Sequence, residues 1–160
     1  MVGVLFVCLG NICRSPLAEG IFIKKIEEAG LGKLIIVDSA GTSHWHVDEP
    51  PDNRSAEIAR RNGIKLDHYG RQISHSDLDN FDYIIAMDVD NYDNIIRLKE
   101  SYGNGKAEIV LMRDFDGQQS GADIPDPYYG GPNGFQQVFD LLDESLSNFL
   151  EKIIDKYQLN

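Results

Sequence analysis

The chain has 160 residues, 42% apolar and 26% charged. Those proportions fit one globular unit with a buried core and exclude a disordered tail, a collagen-like fibre or a disulfide-stapled miniprotein. Asp and Glu number 26 against 15 Lys and Arg, a formal net charge of −11, which argues against a nucleic-acid partner but leaves room for a local anion pocket.

Cys8 and Cys13 are the only cysteines; they make no disulfide framework and point to a reducing compartment. No apolar run approaches the roughly 20 residues of a membrane helix, so no membrane partner is expected. Residues 2–9 are apolar but lack a basic flank and a small-residue cleavage site, and Asn11 and Arg14 follow directly. They read as a buried first strand rather than a secretion signal, and the chain as cytoplasmic.

The strand core is predicted at residues 4–7. Ser15 is placed to cap the next helix, with Pro16 at its first position, Leu17, Ile21 and Ile26 on its apolar face, and Gly30 and Gly32 ending it. Residues 34–37 form a second strand, and 41–51 a loop holding Trp45. Asp52 caps a helix over roughly 53–62 that Gly63 stops. Residues 68–74 read as polar loop, 83–86 as a third strand, 92–99 as a helix closed by Gly103 and Gly105, and 108–111 as a fourth strand. A long loop over 113–134, rich in Gly, Asp and Pro, is of the kind that carries function. The last helix spans residues 136–157, with Val138, Leu141, Leu142, Leu146, Phe149 and Ile153 on one stripe.

Strands alternating with helices predict an α/β fold in three layers: a doubly wound, four-stranded parallel sheet with helices on both faces, flavodoxin-like, as a single domain over residues 1–160. Ligands in such sheets bind beyond the carboxyl ends of the strands, just after Val7, Val37, Ala86 and Leu111.

The loop after the first strand concentrates the chemistry. Cys8 lies between a strand and a helix N-terminus, where unpaired amides and the helix dipole favour a thiolate. Arg14, six residues on, can return to the same centre and grip two oxygens of a tetrahedral anion. Gly10 and Asn11 tolerate positive φ, so the loop can curl with its N–H groups inward as an anion nest. A cysteine at a strand end is also commonly a small buried apolar residue, but the strand before, the capped helix after and the Gly-Asn pair between favour a reactive thiol.

The run from Val7 to Pro16, Val-Cys-Leu-Gly-Asn-Ile-Cys-Arg-Ser-Pro, resembles the signature loop of low-molecular-weight protein tyrosine phosphatases. The segment Asp38-Ser-Ala-Gly-Thr42 with Trp45, then His68 with Arg71 and Gln72, Phe81-Asp-Tyr with Met87 and Asp88, and Asp126-Pro-Tyr-Tyr-Gly130 match the family in kind and order. The resemblance covers about residues 4–150 and implies the phosphotyrosine phosphatase I-like fold and hydrolysis of phosphotyrosine through a phosphocysteine.

By that resemblance Cys8 is the nucleophile and Asp126 the general acid, then base. Arg14 and the loop Leu9, Gly10, Asn11, Ile12, Cys13 and Ser15 bind phosphate. Asn11 is left-handed and tied to Ser39 and His68, while Ser15 donates to the Cys8 sulfur. Trp45, Tyr128 and Tyr129 wall a slot deep enough for a phenyl ring. Asp48 and Glu49 make an acidic rim that favours basic flanking residues, and Cys13 is positioned to trap an oxidised Cys8 as a reversible disulfide.

The implied substrate is a phosphotyrosine protein or small aryl phosphate, turned over by a monomer with no cofactor and no metal. His44 and His46 have no evident third ligand. Three other readings share the architecture. An arsenate reductase needs further cysteines, and none follows Cys13. A phosphotyrosine-binding module has no need for Cys8, Arg14 and Asp126 together, and a flavodoxin-like cofactor protein would carry a hydroxyl-rich loop instead of a thiol and an arginine.

Overall fold

Strand β1 (Val2–Cys8) is buried along its whole length, as an apolar run flanked by strands on both sides requires. A computed structural model describes residues 1–117, 120–127, 131 and 133–159. In it β1 pairs with β2 (Ile35–Gly41) and β3 (Tyr83–Ala86), and β3 pairs with β4 (Glu108–Leu111). Every pairing is parallel and the order is β2-β1-β3-β4. Val4 sits opposite Val37 on one side and Tyr83 on the other; Cys8 ends the register opposite Gly41.

Because side chains alternate along a strand, β1 feeds two cores. Val4, Phe6 and Cys8 pack with α1 (Arg14–Glu28), α2 (Asn53–Arg61) and α5 (Gly134–Tyr157), through Phe22, Ile58 and Phe149 among others. Leu5 and Val7 pack on the other face with α3 (His75–Asn80) and α4 (Val89–Tyr102), through Leu78 and Ile95. The fold is the expected three-layer α/β arrangement. Phe22 is the hinge of the larger core: its ring meets Phe6 edge-on at 5.7 Å and Phe149 at 5.5 Å, and truncating such a ring costs about 3–5 kcal/mol.

Several boundaries differ from the sequence reading. Helix α1 begins at Arg14, with Cys13 at the cap position and no capping side chain. Ser15 therefore lies inside the helix and its hydroxyl is directed elsewhere, while Pro16 falls in the first turn, where a missing N–H leaves no bond unmade. Strand β2 runs on to Gly41, and α4 starts at Val89 because Asp88 caps it, Oδ1 accepting from Asn91 N at 2.8 Å. The short α3 was not foreseen: Asp77 reaches back to the Ser74 amide at 2.8 Å, a capping signature within residues 74–77 that overrode the polar composition. The Asp52 cap is present, accepting from Arg54 N at 2.8 Å.

The strand order reverses between β1 and β3, which opens a crevice at their carboxyl ends. Cys8 ends β1, and Asp88 follows β3 by two residues. No helix among the described residues is long and apolar enough to cross a membrane.

Candidate active site

Residues 9–13 leave β1 and curl into the start of α1, and the partners of their carbonyls set the direction of the curl. Cys8 O accepts from Thr42 N at 2.9 Å, Leu9 O from Ser43 N at 3.0 Å, and Ile12 O from Asp52 N at 2.8 Å. With carbonyls held outward, the amides of Gly10, Ile12 and Cys13 have no protein acceptor among the described residues. Gly41 makes this packing possible, since a Cβ there would stand 2.8 Å from Leu9 O. Asn11 takes φ 57°, the left-handed conformation that Asn adopts more readily than most side chains.

The Cys8 sulfur sits on the floor of this curl. Ser15 Oγ is 2.9 Å from it and Asn11 N donates to it at 3.3 Å. Arg14 is 4% exposed, and its Nη1 donates to Asp88 Oδ2 at 2.7 Å and to the Ile124 carbonyl at 2.9 Å. Burial by itself would ease the proton off this guanidinium, but the Cys8 sulfur and the Asp88 carboxylate outweigh it and hold it above its usual value. Cys13 is governed mainly by burial, then by the Asp52 carboxylate, and its thiol is pushed up to about 12. Both cysteines are free.

Asn11 is 1% exposed and ties the loop to three other segments. Its Nδ2 donates to Ser15 Oγ at 2.8 Å and to Ser39 Oγ at 3.0 Å. Its Oδ1 accepts from Arg71 N at 3.1 Å and lies 2.7 Å from His68 Nε2. Ser39 Oγ donates on to Glu19 Oε1 at 2.6 Å. Burial pushes the Glu19 carboxyl up to about 7 and the His68 imidazolium down.

A cleft of about 270 Å³ opens over Cys8, lined by Leu9, Gly10, Ile12, Cys13, Arg14, Trp45, His46 and Asp126. Leu9, Ile12 and Trp45 make apolar walls; Trp45 is 67% exposed, a rim residue rather than a core one. Asp126 is partly buried. His46 pairs through Nδ1 with Glu49, so one carboxylate of the expected acidic rim is engaged within the loop. Tyr128 and Tyr129 lie outside the described residues. A larger crevice of about 520 Å³, at the amino end of the sheet among Tyr83, Phe115, Phe149 and Lys152, holds no thiol; size therefore does not identify the reactive site.

Cys8, Arg14, Asp126, the loop, Trp45, Ser39 and His68 are thus brought to one end of the sheet. Sequence reasoning gave no role to Asp88, Glu19, Asp38 or Arg71. Asp38, Arg71 and Asp88 lay in segments that carry the family resemblance, but nothing local marked their roles: Asp88 follows β3, Asp38 lies within β2, Arg71 is one base in a loop and Glu19 one acid on a helix.

Comparison with known proteins agrees with this geometry. A family model described as Low molecular weight phosphotyrosine protein phosphatase matches residues 3–159. A Schizosaccharomyces pombe protein named low molecular weight phosphotyrosine protein phosphatase is 44% identical over 153 residues, 95% of this chain and 97% of its own. The crystal structure of YfkJ from Bacillus subtilis superposes with a TM-score of 0.90 at 42% identity, covering 99% of this chain and 98% of that one. A structure titled drosophila arginine phosphatase gives 0.89 at 35% identity, covering 94% and 96%.

Proposed function

The chain belongs to the low molecular weight phosphotyrosine protein phosphatase family, and from that membership and the geometry of the loop we propose that it hydrolyses phosphotyrosine monoesters with Cys8 as nucleophile, Arg14 and the loop amides as phosphate cradle and Asp126 as general acid and base. One observation carries the reading: the Cys8 sulfur, held by Ser15 Oγ at 2.9 Å and Asn11 N at 3.3 Å, lies under a cleft that Arg14 and Asp126 also line.

The Cys8 thiolate attacks phosphorus, and the P–O bond to the phenol breaks as Asp126 passes its proton to the leaving oxygen. Charge on the three equatorial oxygens is met by the inward amides and by Arg14, whose Nη1 is fixed by Asp88 and Ile124 while Nη2 and Nε, without a hydrogen-bond partner among the described residues, serve the ligand. In the second step the Asp126 carboxylate takes a proton from a water that attacks phosphorus. The P–S bond breaks, and sulfur leaves as a thiolate stabilised by the Ser15 hydroxyl and the Asn11 amide. No metal or cofactor enters either step.

Substrate choice follows from depth and lining. A phenyl ring spans from the rim to Cys8 between Leu9, Ile12 and Trp45, whereas phosphoserine is too short to reach. Those apolar walls also suit a phenyl ring better than the phosphoguanidine implied by the name of the Drosophila neighbour. The arsenate reductase reading lacks its relay, because no cysteine follows Cys13. The enzyme is read as a cytoplasmic monomer with no nucleic-acid partner, and Asp48 and Glu49 as favouring basic residues beside the phosphotyrosine.

Steady-state hydrolysis of para-nitrophenyl phosphate and of phosphotyrosine, phosphoserine and phosphoarginine peptides tests the proposal. Turnover of aryl substrates by the parent, competitive inhibition by vanadate and no turnover in Cys8→Ser are expected. Retained turnover in Cys8→Ser overturns it.

A further inference from the structure

Glu19 of α1, Asp38 of β2 and His68 of the 62–74 loop converge at the outer end of the Asn11 side chain. The hydrogen bonds around Asn11 settle which nitrogen of His68 carries hydrogen. Arg71 N–H fixes Asn11 Oδ1 as an acceptor, and both donors of Nδ2 are directed at Ser15 and Ser39. His68 Nε2, 2.7 Å from that same Oδ1, is therefore the N–H donor. The other ring nitrogen, Nδ1, faces Glu19 Oε1 at 3.2 Å and Asp38 Oδ1 at 3.8 Å. A lone pair aimed at two carboxylates demands a cation between them, either a proton or a metal ion.

The distances suit a metal ion. With bonds of about 2.0–2.1 Å, donors around a tetrahedral zinc-class ion stand about 3.3 Å apart, and the three donor atoms here lie within 4.8 Å of one another. The surroundings are those of a ligating histidine, with Nε2–H engaged by an amide oxygen and the carboxylates hydrogen-bonded in turn. Ser39 Oγ donates to Glu19 Oε1 at 2.6 Å, Ser39 N to Asp38 Oδ1 at 2.8 Å and Arg71 Nε to Asp38 Oδ2 at 3.1 Å. Arg71 is the base that hydrogen-bonds this cluster among the described residues, and its guanidinium is shared with Asp77 at 3.0 Å. The imidazole disfavours Mg²⁺ and Ca²⁺, which prefer all-oxygen sites.

We propose that Glu19, Asp38 and His68 form a divalent-cation site of the zinc class, in which the ion replaces the proton these groups otherwise share. Glu19 and His68 also line a crevice of about 400 Å³ with Lys24, Lys65, Glu27 and Asp67. That crevice has no lining residue in common with the cleft over Cys8, so the ion enters from behind the phosphate loop. His68 keeps Nε2–H on Asn11 with the ion bound, so the site braces the loop and takes no part in the chemistry.

The test is calorimetric titration of the full-length protein with Zn²⁺, together with the visible spectrum of its Co²⁺ complex. One ion per chain is expected, with ligand-field bands and no thiolate charge-transfer band, and a raised thermal midpoint. Glu19→Gln and Asp38→Asn are expected to weaken binding about 10- to 100-fold, while Cys8→Ser/Cys13→Ser leaves it intact. The proposal is overturned by absence of stoichiometric binding, by unchanged affinity in both carboxylate variants, or by a thiolate band in the Co²⁺ complex. The spectrum on the parent decides the last point even where the cysteine variant fails to fold.

Discussion

Arg14 Nη1 donates to Asp88 Oδ2 at 2.7 Å, across the crevice between the carboxyl ends of β1 and β3. The guanidinium is nearly fully buried, and among the described residues Asp88 is the carboxylate that hydrogen-bonds it, with little water to replace that contact. Asp88→Asn keeps the cap on α4 but removes that charge. A fall of about 10- to 100-fold in kcat/KM is expected, because a misaligned guanidinium loses its grip on the transition state, with weaker vanadate inhibition. Unchanged vanadate affinity argues against Asp88 as the positioning residue.

Asn11 combines a left-handed backbone with a side chain that bonds Ser15, Ser39, His68 and the Arg71 amide. Asn11→Gly accepts the φ of 57° and loses only the bonds; Asn11→Ala loses both. The alanine variant is expected to be less stable than the glycine variant by about 1 kcal/mol in urea unfolding, and both to lose activity. Equal stabilities would show that the loop relaxes out of the left-handed conformation.

For Asp126 the dependence on the leaving group is diagnostic. Asp126→Asn cannot protonate a leaving oxygen, so its kcat should fall most for esters of weakly acidic phenols and least for esters of strongly acidic ones. A flat ratio of variant to parent across a phenol series removes Asp126 from the acid role.

Cys13 sets an alkaline signature. Its thiol titrates at about 12 in the fold, against 9.0 as the ordinary value. The native state therefore holds a proton that the unfolded chain releases. The stability this contributes is complete below pH 9 and declines as pH rises toward 12. Between pH 8 and pH 10 the parent should lose about 1.4 kcal/mol relative to Cys13→Ala, read from paired urea curves. A constant difference would show that burial does not govern this thiol.

The same cysteine is proposed to trap an oxidised Cys8. After brief peroxide treatment, thiol should restore most activity to the parent and much less to Cys13→Ser, where Cys8 proceeds to irreversible acids. Equal recovery in the two dismisses the trap.

The sheet and the loop were legible residue by residue. Residues 83–86 and 108–111 coincide with β3 and β4, because short runs of apolar residues bounded by turn signals leave a pattern readable along the chain, at the buried β3 and at the half-buried edge strand β4 alike. Cys8, Gly10, Asn11 and Arg14 were equally legible, since they act within one local turn and their spacing is their geometry. Tertiary structure alone decided the partners brought from a distance. Asp88 on Arg14, Glu19 on Ser39 and the Arg71 amide on Asn11 are separated by 74, 20 and 60 positions. It also decided that Ser15 lies inside α1 and does not cap it, while its hydroxyl stands 2.9 Å from the Cys8 sulfur as the family resemblance implied. Hydrogen bonds and ion pairs between distant segments depend on which strand ends the crossovers bring together, and no local periodicity records that.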